Sequence, residues 1–267
     1  MTDLLKRNLA PITEAGWQEI DATAAQVIKT QLSARSVVDF SGPHGWEMAA
    51  VNLGRLEVPK KKGEAKIPWG LRQVLPLVET RVHFSLNQWE IDNISRGCKD
   101  ADLSALEATA RQVAHFEESA VYNGFPDGNI AGLLPSCSHK PIKLPASVDQ
   151  YAQCIGEAVK TLDQAGVGGP YALVLGSKAY YPLKHNCGQG YPLGRVIKEL
   201  LQGNVLWSPV LAGGVVLSTR GGDFELVVGQ DFSIGYACHD KAQVELFLTE
   251  SFTFRVINPD AAIELKA

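Results

Sequence analysis

The sequence predicts an α+β fold, and three observations carry that expectation. Apolar residues recur at helical spacing in three long segments. Two-residue alternation marks other segments as strands, and the two kinds interleave without an internal repeat. A chain of 267 residues, 45% of them hydrophobic, buries about 70–75% of its extended-chain surface on folding. That burial excludes a disordered chain and fits one or two domains.

The first helix is expected over 11–32. Pro11 and Thr13 mark its start, and Trp17, Ile20, Ala24, Val27, Ile28 and Leu32 follow on one face. Residues 41–45 (SGPHG) then break the chain. From Val51 to Leu86 the pattern is that of strands. Residues 53–58 run into a charged turn, PKKKGE at 59–64, and return at Ile67. Val78, Thr80, Val82, Phe84 and Leu86 then share one face. The segment is expected to form one long hairpin with a solvated, lysine-rich tip. A two-stranded ribbon is marginal alone in water, so it needs something to pack on.

Residues 104–122 form the strongest helix, with Ser104 to Glu107 in the pattern of a capping box. Another helix is expected from Ser147 to about Ala165, closed by Gly166. A buried strand follows over 170–175, and a fourth, shorter helix over 193–201. The segments 214–219 and 224–228 flank Arg220-Gly221-Gly222-Asp223, which reads as a tight primed hairpin turn. Residues 244–256 alternate again.

Charge and motifs exclude more than they assign. The 25 basic and 29 acidic residues leave a net charge of −4, no field for nucleic acid or an anionic membrane. No apolar run reaches the roughly 18–20 residues of a spanning helix. The N-terminus lacks a signal-peptide apolar region, so a cytoplasmic-type protein is expected. The cysteines Cys98, Cys137, Cys154, Cys187 and Cys238 are widely spaced without a C-x-x-C, which argues against a disulfide framework and a zinc ribbon. Phosphate-loop, zinc-protease and nucleophile-elbow motifs are missing. Glycine-rich 166–170 follows a helix and precedes a strand, the reverse of a dinucleotide fingerprint. Cys137-Ser138-His139 and Cys238-His239-Asp240 are neighbours in sequence only, and a nucleophile meets its base through the fold. No catalytic or metal-ligating residue is assigned.

Longer motifs do point somewhere. They are Leu9-Ala10-Pro11-Ile12-Thr13-Glu14 with Trp17, Val38-Asp39-Phe40-Ser41-Gly42-Pro43, Trp89-Glu90-Ile91-Asp92-Asn93, Gly190-Tyr191-Pro192-Leu193, Gly229-Gln230-Asp231-Phe232-Ser233-Ile234-Gly235-Tyr236 and Thr249-Glu250-Ser251-Phe252-Thr253-Phe254. In this order and spacing, from end to end, the chain resembles the encapsulin shell proteins, also called the linocin/bacteriocin-like family. The resemblance implies a tailed-phage major-capsid-like fold of the HK-97 type. It divides the chain into an N-terminal helix with part of a peripheral domain (1–46), an extended-loop hairpin (47–78), the peripheral domain with its spine helix (79–135), an axial domain (136–222) and peripheral strands (223–267).

The implied function is structural: a homo-oligomeric icosahedral shell, of the smallest T=1 form, enclosing iron-storage, peroxidase or sulfur-handling enzymes. Cargo would dock by a terminal peptide at Ile28, Leu32, Arg35, Asp39, Phe232 and Ile234, with apolar pockets taking side chains and Arg35 and Asp39 fixing register. The five-fold pore would be rimmed by His185, Asn186, Cys187, Gly188, Gln189 and Gly190. These either form a weak metal funnel or are a plain solvated loop. Flavin is the one cofactor implied, held by Trp89 with Arg81, against the alternative of a packed core tryptophan. A protease or bacteriocin activity, the family's historical label, is the competing function, and it lacks a nucleophile constellation.

Overall fold

The computed structural model describes residues 4–58, 67, 69–185 and 193–267. The first helix, α1 (Glu14–Gln31), starts where the sequence marks it: Thr13 Oγ1 accepts the Gly16 N–H at 3.2 Å. Its four-residue spacing buries Gly16, Ile20, Ala24 and Ile28. Then come β1 (Asp39–Ser41), β2 (Ala50–Glu57), β3 (Leu71–Pro76), β4 (Val78–Asn87) and α2 (Gln88–Ser95), which Asn87 caps through the Trp89 N–H. The spine helix α3 (Ser104–Tyr122) has the expected limits. Its capping box does not form, because Leu103 occupies the cap position and Asp102 Oδ1 accepts the Ser104 N–H at 3.0 Å.

The second half begins with α4 (Leu133–Ser136) and β5 (Ile142–Lys143), followed by α5 (Tyr151–Gln164), β6 (Tyr171–Leu175) and α6 (Ser177–His185). Next are α7 (Leu193–Leu201), β7 (Val205–Trp207), β8 (Gly214–Ser218) and β9 (Phe224–Val228). The chain closes with β10 (Ser233–His239), β11 (Gln243–Val256) and β12 (Ala262–Lys266).

Two five-stranded sheets organise the molecule. In the first, β11 is central: β10 and β9 pair along one edge, β4 along the other, and β1 lies parallel outside β9. Helices α1 and α3 cover one face, where Ile20, Ile28, Leu106, Val113, Phe84 and Leu248 form a core. The second sheet has the order β5-β12-β8-β6-β7, and packs Leu173, Val216 and Ile263 against Ile155 and Leu162 of α5 and Ile197 and Leu201 of α7. Both sheets are mixed, since β1–β9, β5–β12 and β6–β7 are parallel pairs.

Three strand expectations change. The 51–86 hairpin is shorter than expected. Only β2 and β3 pair with each other, while β4 leaves the ribbon and pairs over its whole length with β11, from Val78↔Phe252 to Asn87↔Gln243. The alternation of β4 declares a strand with one buried face, but a partner more than 150 residues away leaves no local mark. The lysine-rich tip at 59–64 lies outside the described residues. Second, Arg220–Asp223 is not a hairpin turn. Gly221 and Gly222 adopt φ of +87° and +84°, as expected of glycines in a tight turn, but they carry the chain from β8 in the second sheet to β9 in the first. Third, β12 pairs with β8 and β5, so the last strand belongs to the second sheet and not with β9–β11.

Candidate functional site

A groove of about 710 Å³ opens between α1 and the start of β10. One wall is α1 with the turn after it, bringing Ile28, Leu32 and Arg35. The other is Phe232 and Ile234, and Leu248 of β11 also lines it. Five of the six residues that the resemblance assigned to docking thus converge on one cavity. Asp39 does not: its Oδ2 accepts the Gly222 N–H at 2.6 Å, so it supports the crossover turn between the sheets.

The acid beside Arg35 is another residue, Asp231, whose Oδ1 lies 2.9 Å from Nη1. The guanidinium also donates from Nε to Glu117 at 2.9 Å and from Nη2 to Glu250 at 2.5 Å. It lies 4.7 Å from the ring centre of Phe232 and 5.0 Å from that of Phe40. Glu117 and Glu250 are wholly buried. Burial opposes the charge on Arg35, but Glu117, then Glu250 and Asp231, outweigh it and raise its pKa. Burial, then the charge and hydrogen bond of Glu117, hold the Glu250 carboxyl well above the usual carboxylate range, against the pull of Arg35. One cation faces three carboxylates, so the cluster favours retaining a proton. Among the described residues Glu250 Oε2 has no hydrogen-bond partner.

Beside it, Glu118 accepts from the backbone N–H groups of Ser33 and Ala34 at 3.0–3.1 Å and from the hydroxyls of Ser33 and Ser208. Two adjacent buried glutamates on α3 therefore anchor the segment after α1, which is how the groove wall is held. Sequence reading missed Glu117, Glu118, Asp231 and Glu250. A signal existed: Glu117 sits three to four residues from Val113, Ala114, Ala120 and Val121 on the apolar stripe of α3, and Glu118 likewise from Ala114 and Val121.

Other assigned residues separate. Trp89 is 66% exposed and is not a packed core residue; the cation over its ring is Arg96, at 5.7 Å. Arg81 lies over Phe247 at 4.5 Å, and the strand from 81 to 87 spans about 20 Å. Within one chain, Arg81 and Trp89 therefore do not meet. His185 is exposed at the end of α6, and 186–190 lie outside the described residues. Among the described residues no His, Cys, Asp and Glu group is arranged to hold a metal, and no helix is long and apolar enough to cross a membrane. Cys137 is pushed up to about 11 by burial, then by Glu264, which disfavours a thiolate.

Away from the groove, the β2–β3 ribbon is apolar and bare. Leu56, Val58, Trp69 and Leu71 are each more than 60% exposed, and no other described strand pairs with it.

Comparison with known proteins places this architecture. The family described as "Encapsulating protein for peroxidase" matches residues 1–253. The type 1 encapsulin shell protein of Rhodospirillum rubrum is 42% identical over 272 residues, covering 100% of this chain and 97% of that protein. The one from Mycobacterium tuberculosis is 38% identical over 261 residues, covering 98% of each. Among solved structures, the virus-like particle from Pyrococcus furiosus aligns with a TM-score of 0.67 at 17% identity, covering 94% of this chain and 99% of that one. The capsid of Myoviridae phage XM1 aligns at 0.57 and 12% identity, covering 88% and 91%. These two carry the fold, the tailed-phage capsid type, and the sequence relatives carry the family. The chain belongs to the encapsulin shell proteins.

Proposed function

We propose that copies of this chain close into an icosahedral shell of the smallest, T=1, arrangement in the cytoplasm, enclosing an enzyme whose terminal peptide docks in the α1–β10 groove. The observation that supports assembly best is the bare ribbon. Burying Leu56, Val58, Trp69 and Leu71 on a neighbour contributes about 1.5–3 kcal/mol each. Repeated around a closed symmetry, such contacts give a cooperative shell.

Five apolar or charged groove residues, Ile28, Leu32, Arg35, Phe232 and Ile234, support the docking role. Iron-storage, peroxidase and sulfur-handling enzymes are the candidate cargos, and the family description, which names a peroxidase, favours that one. Small substrates would pass through pores rimmed by 185–190. Size-exclusion chromatography and electron microscopy of the purified chain should show uniform, hollow megadalton particles. A monomer or dimer at micromolar concentration overturns the shell. Proteins that co-purify with the particles identify the cargo.

A further inference from the structure

The groove opens along a strand edge that the described residues leave incompletely paired. Strand β10 is bonded to β11 on one side, and among the described residues no strand lies on the other. In an antiparallel pair, successive residues direct their backbone groups to opposite edges. Tyr236 donates its N–H to the carbonyl of Leu5 at 2.8 Å, outside the sheet, so its backbone points away from β11. Ile234, two residues earlier, is in the same kind of position: Tyr236 faces Leu246 and Ile234 faces Leu248. Its N–H and C=O therefore point to the same outer edge, and no described residue bonds them there. After the rung with Tyr236, the chain turns at Lys6, with φ of +50°, into a 3-10 turn over Arg7–Leu9. Among the described residues the edge carries this one rung, and the next position, Ile234, has no backbone partner there.

The groove's length and charge fit an extended occupant. From Ala24 to Leu32 the helix wall runs about 12 Å, which about four residues of strand cover. Of the cations lining it, Arg7 pairs with Asp21 at 2.7 Å and Arg35 is held by Glu117, Glu250 and Asp231. Lys29 has no carboxylate partner among the described residues.

We infer that the groove takes its peptide as an added β-strand. An extended terminal segment of the cargo lies along β10 and exchanges backbone hydrogen bonds with Ile234. Alternate apolar side chains face Ala24, Ile28 and Leu32, and a carboxylate meets Lys29. This rests on the reading of the groove as the cargo site. The occupant's chemistry follows. Its apolar residues recur every two positions and not every three to four, and the residue opposite Ile234 carries an N–H, which excludes proline. The rung made by Leu5 stops the added strand before Tyr236, which sets its register.

The test uses the full chain as assembled shells, co-expressed with a fluorescent protein. The reporter carries a C-terminal tag with leucines at alternate positions in a serine–glycine background and one glutamate. The readout is fluorescence retained per shell. Leucine to alanine at the position opposite Ile234 should lower capture modestly, and leucine to proline there about tenfold further, the worth of one backbone bond. Proline at a solvent-facing neighbour should cost no more than alanine, because an edge strand tolerates it. A tag of the same composition with leucines at helical spacing should be captured about tenfold less. Lys29→Ala should bring the glutamate tag down to the level of a glutamine tag.

Equal capture of the helical tag, proline costing no more than alanine at every position, or no capture of the alternating tag overturns strand addition. Natural cargo with Leu32→Asp shells, run in parallel, separates the two readings. Loss of that cargo while proline is tolerated keeps the groove and removes the strand. Normal loading of that cargo removes the groove itself.

Discussion

Nη2 of Arg35 lies 2.5 Å from the wholly buried carboxyl group of Glu250, and the same guanidinium also holds Glu117 and Asp231. The contact ties the turn after α1 to the centre of β11 and the middle of α3. These are the three elements whose relative position shapes the groove.

Removing Arg35 should be costly. Arg35→Ala leaves Glu117 and Glu250 buried without their cation and should destabilise the chain by about 3–5 kcal/mol in chemical denaturation. Arg35→Lys should recover only part of this, because one ammonium cannot span three carboxylates in the guanidinium's fork geometry.

Glu250 should make stability fall with rising pH. Its folded pKa is raised by burial and by Glu117, so its contribution is complete below the ordinary carboxylate range. That contribution is lost as pH rises through the higher folded value. Glu250→Gln should flatten this slope in denaturation midpoints measured across pH. An unchanged slope would mean the proton is held elsewhere.

Leu32→Asp should leave shells intact and abolish cargo capture, since a carboxylate would face an apolar peptide. Leu32 is the cleaner site, because Ile28 is buried in the core beneath α1 and its replacement also disturbs folding. Co-purification of cargo with particles of normal size is the measurement.

The double replacement Trp69→Ser with Leu71→Ser should block assembly without unfolding the subunit. Both side chains are exposed on the ribbon and belong to neither core. A native-like circular dichroism spectrum from a species that sediments as a small oligomer is expected. Normal shells would remove the ribbon from the interface.

Asp39→Ala should cost about 1 kcal/mol of stability, the Gly222 hydrogen bond, and leave cargo capture unchanged. Gly222→Ala should cost about 1–2 kcal/mol through its φ of +84°, although nothing crowds an added Cβ. A loss of cargo in Asp39→Ala would return Asp39 to the docking machinery.

Four of the helices, α1, α3, α5 and α7, and the family were legible in the residues alone, whereas the shorter α2, α4 and α6 were not. Thr13 and the four-residue stripe of α1, like the limits of α3, are local signals, written within one helical turn of where they act. The sequence also showed that residues 51–86 contain strands, that the ribbon needs a partner and that 220–223 is a turn on two glycines. Tertiary structure decided what those strands pair with: β4 with β11, and β8 and β9 in different sheets. Period-two alternation names a buried face but not the neighbour that buries it. The same limit applies to the groove. Ile28 and Leu32 were legible as apolar positions on the face of the first helix, and Phe232 and Ile234 as part of a family motif. The commitment of Arg35 to Glu117, Asp231 and Glu250 was not, because those four residues come from four separate segments and meet only when both faces of the core close.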